Sequence, residues 1–149
     1  MRLADVLSEK CICVQQPCQS GLEALRRLTG LLADAGLIYS KSEFLLSVLT
    51  REEQKPTALG LGVAVPHGRS AAVRRPCMAL MTLTPGIDYG APDGLPVRLL
   101  FLLATPPDAA DAHLQMLAMV AQLVGSPGGA DRILSCTSEQ ELYQLCVTS

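Results

Sequence analysis

Residues 59–69 read LGLGVAVPHGR, a short β-branched run, Val63 to Val65, leading directly into Pro66, His67 and Gly68. Proline has no backbone donor and a fixed φ, so it ends a strand or sits at its edge. Gly68 lets the chain turn sharply or lets another group come close. The stretch therefore predicts a strand that ends by presenting an imidazole. Strand ends are where ligand sites gather in α/β sheets. Taken locally, His67 has two open roles: a loop hydrogen bond or a reactive side chain.

Upstream, residues 54–62 (QKPTALGLG) read as a loop punctuated by Pro56, Gly60 and Gly62. Before it lie two helices. Ser20 to Glu23 is a capping box, and Leu22, Leu25, Leu28, Leu32 and Ala35 follow at helical spacing, with Gly36 as the stop. Ser40 to Glu43 is a second box, and Phe44, Leu45, Val48 and Leu49 carry its stripe to about Arg51–Glu53. Leu3 to Leu7 reads as a short helix and Cys11 to Val14 as extended chain.

Downstream, Cys77 to Leu83 and Val97 to Ala104 read as strands around a turn-rich excursion, Pro85 to Pro96. The continuous apolar character of 97–104 predicts burial on both faces. A long helix runs from about Ala112 to Val124, capped by Asp108 or Asp111, and ends at Gly125. Ala130 to Cys136 and Ser138 to Val147 are shorter helical patterns, with a capping box at Thr137–Gln140. The interleaving predicts an α/β fold: one domain over residues 1–149, with a mixed sheet flanked by helices on both sides.

Composition narrows the function. The formal net charge is −2 and Lys and Arg form no run, which argues against a nucleic-acid surface. The longest apolar run, Leu99 to Ala104, is strand-sized, far short of a membrane span, and the N-terminus has no signal-type apolar region. The expected location is the cytoplasm. Six cysteines are present. Cys11, Cys13 and Cys18 have C-x-C-x4-C spacing, without the paired knuckles of a structural zinc site. Reduced thiols packed as small hydrophobes, with no metal and no cofactor, are expected.

The second histidine, His113, falls in the first turn of the long helix. Met116, Leu117 and Val120 follow at +3, +4 and +7, which puts His113 at the edge of the buried face. A helix N-terminus favours anions and disfavours an imidazolium. A neutral imidazole is a nucleophile near pH 7 and can take and pass on a phosphoryl group. That chemistry needs one ring nitrogen free, the other held as a donor, and cations or donors around the phosphoryl oxygens.

LTREEQKPTALGLGVAVPHG (49–68) resembles the active-site segment of enzyme IIA domains of the bacterial phosphotransferase system, fructose/mannitol type. Arg51-Glu52, Thr57, Gly60, Gly62 and Val63 to Gly68 carry the match. HLQMLAMVAQL (113–123) resembles the second-histidine helix of that family, and SEQELYQL (138–145) its C-terminal helix. LADVL and CQS in the N-terminal half resemble the nitrogen-related regulatory members. Pro56, Ala58, Leu61 and Arg98 are looser matches. The resemblance implies that His67 is phosphorylated, that His113 supports the phosphoryl group, and that Arg51 and Thr57 hold its oxygens. It implies an HPr-type phosphocarrier protein as donor. It also implies an acceptor, a IIB domain, or else a signalling role in which the phosphoryl group switches regulatory target proteins. The chain begins at Met1 with no transporter or IIB segment attached, which fits a free-standing regulator.

Overall fold

The computed structural model describes residues 1–149. A single turn, α1 (Leu3–Val6), leads into β1 (Leu7–Gln16). Two helices follow, α2 (Gly21–Asp34) and α3 (Lys41–Gln54), then three short strands, β2 (Ala58–Gly60), β3 (Val63–Ala64) and β4 (His67–Arg69). Two long strands, β5 (Cys77–Ile87) and β6 (Val97–Thr105), precede α4 (Ala110–Gly125), α5 (Gly129–Leu134) and α6 (Glu139–Thr148).

The sheet order is β1-β5-β6-β3-β2, and β4 also pairs with β6. β5 and β6 are antiparallel; β1 runs parallel to β5, and β3 and β4 run parallel to β6. The sheet is therefore mixed. It is covered on both faces, as the sequence pattern predicts. On one face Ala79, Met81, Leu83, Leu100 and Leu102 pack under Leu25, Leu28 and Leu32 of α2 and Phe44 and Val48 of α3. On the other, Met78, Leu80, Leu99, Phe101 and Leu103 pack against Met116 and Val120 of α4, Ile133 of α5 and Leu142 of α6. Successive β6 residues feed opposite cores, which is why that strand is apolar throughout. Each fully buried Leu contributes about 1.5–3 kcal/mol.

The helix starts follow the capping chemistry. The Ser20 Oγ accepts from the Glu23 N–H at 3.2 Å, and the Ser40 Oγ accepts from the Glu43 N–H at 3.2 Å. At α6 the cap is one residue later than the sequence pattern places it. Ser138 accepts from the Glu141 N–H at 3.1 Å, and Glu141 accepts from the Thr137 N–H at 2.8 Å.

Several boundaries differ from expectation. The 54–62 loop holds β2, which forms a hairpin with β3 across Gly60, Leu61 and Gly62, all with φ between 56° and 91°. The expected 63–65 strand stops at Ala64, and the chain rejoins β6 at His67. Pro66 interrupts the ladder because it has no N–H, yet its carbonyl accepts from the Leu103 N–H at 3.0 Å. His67 thus opens a strand instead of closing one. β5 continues into the first residues of the expected excursion, as far as Ile87, with a register shift between Thr82 and Ile87. Neither Asp108 nor Asp111 caps α4; its cap position is Ala109, with no side-chain cap bond.

All six cysteines are free thiols, five of them buried. Burial raises their pKa values, that of Cys77 to about 12, so they are poor nucleophiles at neutral pH. No helix is long and apolar enough to cross a membrane.

Candidate functional site: a histidine pair in a cationic groove

The site forms where the C-terminal end of β6 hands the chain to α4. β4 lies beside that end of β6, with His67 paired to Leu103 and Arg69 to Thr105. Strand alternation puts His67 and Arg69 on one face and Gly68 on the other. Gly68 is where α3 approaches the sheet. A Cβ there would meet the Ser47 hydroxyl, and would lie 2.9 Å from Val48 Cγ2 and 3.0 Å from Phe44 Cε1. Only glycine lets α3 sit this close, and α3 carries Arg51 in its last turn.

Between α3, β4 and the start of α4 lies a groove of about 680 Å³. Arg51, His67, Arg69 and His113 all line it, with Ser47 and Gln54 on the α3 wall. The two imidazoles face each other with centroids 4.8 Å apart and planes tilted by 54°. The half-buried His67 has its Nδ1 3.0 Å from the Val65 carbonyl oxygen. A carbonyl only accepts, so Nδ1 carries the proton and donates. Nε2 is left with its lone pair, and that is the tautomer a nucleophilic imidazole needs.

His113 is held below the usual histidine pKa first by burial, then by its closeness to His67, since two neighbouring imidazoles resist both being protonated, and by the positive charge of Arg69 and Arg51. It is therefore neutral at pH 7. The Arg51 Nη1 donates to the Lys55 carbonyl at 2.7 Å, which fixes the guanidinium at the end of α3. Two arginines and the start of α4, lining one groove with both histidines, suit a multiply charged oxyanion.

Thr57 does not join this groove. It is buried, its hydroxyl donates to Glu52 Oε1, and its N–H donates to Glu52 Oε2 at 3.1 Å. A hydroxyl has one proton to give, and Glu52 takes it. The sequence reading missed Arg69, whose signal was its two-residue spacing from His67 on a strand. It also missed Tyr89, which donates to Glu52 Oε1 at 3.0 Å. No group of three or more His, Cys, Asp or Glu side chains is placed to hold a metal ion.

Residues 5–148 match the family model "Phosphoenolpyruvate-dependent sugar phosphotransferase system, EIIA 2". The chain is 38% identical over 144 residues to the PTS system 2-O-alpha-mannosyl-D-glycerate-specific EIIABC component of Escherichia coli. That match covers 95% of this chain and only 22% of the relative. It is 30% identical over 147 residues to a nitrogen regulatory protein of Pseudomonas aeruginosa, covering 99% of this chain and 96% of that one. The crystal structure of the nitrogen regulatory protein IIA-Ntr from Neisseria meningitidis superposes with a TM-score of 0.86 at 27% identity, over 95% of this chain and 97% of that one. The chain belongs to the EIIA 2 family of the phosphoenolpyruvate-dependent sugar phosphotransferase system.

Proposed function

We propose that this chain is a histidine phosphocarrier that accepts a phosphoryl group on Nε2 of His67. The observation that carries the proposal is the hydrogen bond from His67 Nδ1 to the Val65 carbonyl inside a groove lined by Arg51, Arg69 and His113. The donor is the phosphohistidine of an HPr-type carrier protein. Its P–N bond breaks as the P–Nε2 bond to His67 forms, and the electron pair returns to the donor imidazole. The His67 proton stays on Nδ1, so no base is required. Charge on the transferring group is stabilised by Arg51 and Arg69, and neutral His113 orients against it as a hydrogen-bond partner. Catalysis is then mainly positioning.

The acceptor is a IIB-type domain, supported by similarity to part of an EIIABC component. A second reading has its own support, because the nitrogen regulatory relative matches over nearly its whole length. In that reading phospho-His67 is a charge switch that selects protein partners. Both readings place the protein in the cytoplasm, where HPr-type carriers would reach it. The test is incubation with phosphoenolpyruvate, enzyme I and HPr, followed by intact mass. One added phosphoryl group on the wild type and none on His67→Ala is expected. No phosphorylation of the wild type, or equal labelling of both, overturns the proposal. Onward transfer to a purified IIB domain, compared with partner capture by His67→Asp and His67→Ala, separates carrier from switch.

A further inference from the structure

The carboxylate of Glu52 lies one residue beyond Arg51 and turns away from the groove. It collects three donors: the Thr57 N–H at 3.1 Å, the Thr57 hydroxyl, and the Tyr89 hydroxyl at 3.0 Å. The Tyr89 ring lies over the first residue of α2, where a Cβ on Gly21 would meet it at 2.9 Å. Glu52 therefore ties together the end of α3, the segment leading into β2, and the chain after β5. Burial first, and then the negative charge and hydrogen bond of Glu52, drive the Tyr89 pKa upward, so the phenol stays protonated and donating.

The tie reaches the groove through two residues. Thr57 is joined through Pro56 to Lys55, whose carbonyl accepts from Arg51 Nη1 at 2.7 Å. Pro56 fixes its own φ and restricts Lys55 to extended backbone, and Lys55 has φ −167° and ψ 131°. Holding Thr57 thus fixes where the Lys55 carbonyl points. We infer that Glu52, with Thr57 and Tyr89 as its donors, is a positioning residue that sets the Arg51 guanidinium for phosphoryl transfer.

The inference rests on the phosphocarrier reading and is tested within it. Single-turnover transfer from phospho-HPr is followed for the wild type, Glu52→Gln, Tyr89→Phe, Arg51→Ala and both double variants with Arg51→Ala. Glu52→Gln turns one of the two accepting oxygens into an amide donor, which then faces at least one of the three donors. It should slow transfer about tenfold at saturating phospho-HPr, with the apparent KM for phospho-HPr within about twofold of wild type. Tyr89→Phe keeps the ring and loses one bond, so a smaller loss in the same direction is expected. In the Arg51→Ala background each change should alter the rate by less than about twofold, because the group being positioned is gone. Wild-type rates in both single variants overturn the inference. So do losses that multiply with Arg51→Ala, or a change confined to KM. If Glu52→Gln does not fold, Tyr89→Phe decides the same comparison. A wild-type chain that takes no phosphoryl group refutes the phosphocarrier reading itself, and the inference falls with it.

Discussion

His67 and His113 face each other across one groove, with ring centroids 4.8 Å apart. One comes from the first residue of β4 and the other from the first turns of α4. Both elements abut the same end of β6, so the sheet sets the spacing of the pair.

That proximity makes the titration of His113 a reporter for His67. In the unmodified protein, burial and neighbouring positive charge lower its pKa. The unfolded imidazole titrates near 6.5. As pH falls through that value the unfolded chain binds the proton first, so the fold loses stability on the acid side and is unaffected above about pH 7.5. The Tm should therefore fall between about pH 7 and 5, and His113→Gln should remove part of that fall. A phosphoryl dianion on His67 reverses the local sign and should raise the His113 pKa, measured by NMR of the imidazole. No upward shift on phosphorylation would mean that His113 does not face the phosphoryl group.

Arg51 is anchored by its bond to Lys55 and lines the groove beside both histidines. Arg51→Ala should reduce transfer from phospho-HPr by about 10²–10³, the usual scale for losing one preorganised donor at a developing charge. Arg51→Lys should recover only part of this, since it keeps charge and loses the forked donors. Stopped-flow or quenched-flow transfer rates check both. Full activity in Arg51→Lys would mean that only charge is used.

Gly68 is a packing requirement with a catalytic consequence. Gly68→Ala forces a methyl group into Ser47, Val48 and Phe44. It should cost about 1–3 kcal/mol and lower Tm by roughly 2–4 °C for each kcal/mol. It should also slow transfer, because α3 and its Arg51 move outward. Adding Ser47→Gly, which removes the most crowded atom, should restore part of both in thermal melts and transfer assays.

Much of this was legible in the sequence because local chemistry decided it. Ser20 and Ser40 cap the helices that their boxes announce, Ser138 caps α6 one residue beyond the cap its box places, and the apolar run of β6 is buried on both faces. The short strands β2 and β4 were not legible. Three residues carry no periodicity, and these strands exist because β3 and β6 offer them a ladder. The same limit hid the true place of Thr57. Its partner Tyr89 on Glu52 lies far along the chain, in a stretch that reads as turns. His67 and His113 could be singled out by motif, but only the fold shows which nitrogen of His67 is spent on Val65.

That nitrogen is the centre of the account, and ¹⁵N-edited NMR of the phosphorylated protein, labelled at histidine, reads it directly. The account predicts a single phosphohistidine at His67, with phosphorus bonded to Nε2 and Nδ1 still protonated against the Val65 carbonyl. Phosphorus on Nδ1 of His67, or on His113 in the wild type, would contradict it.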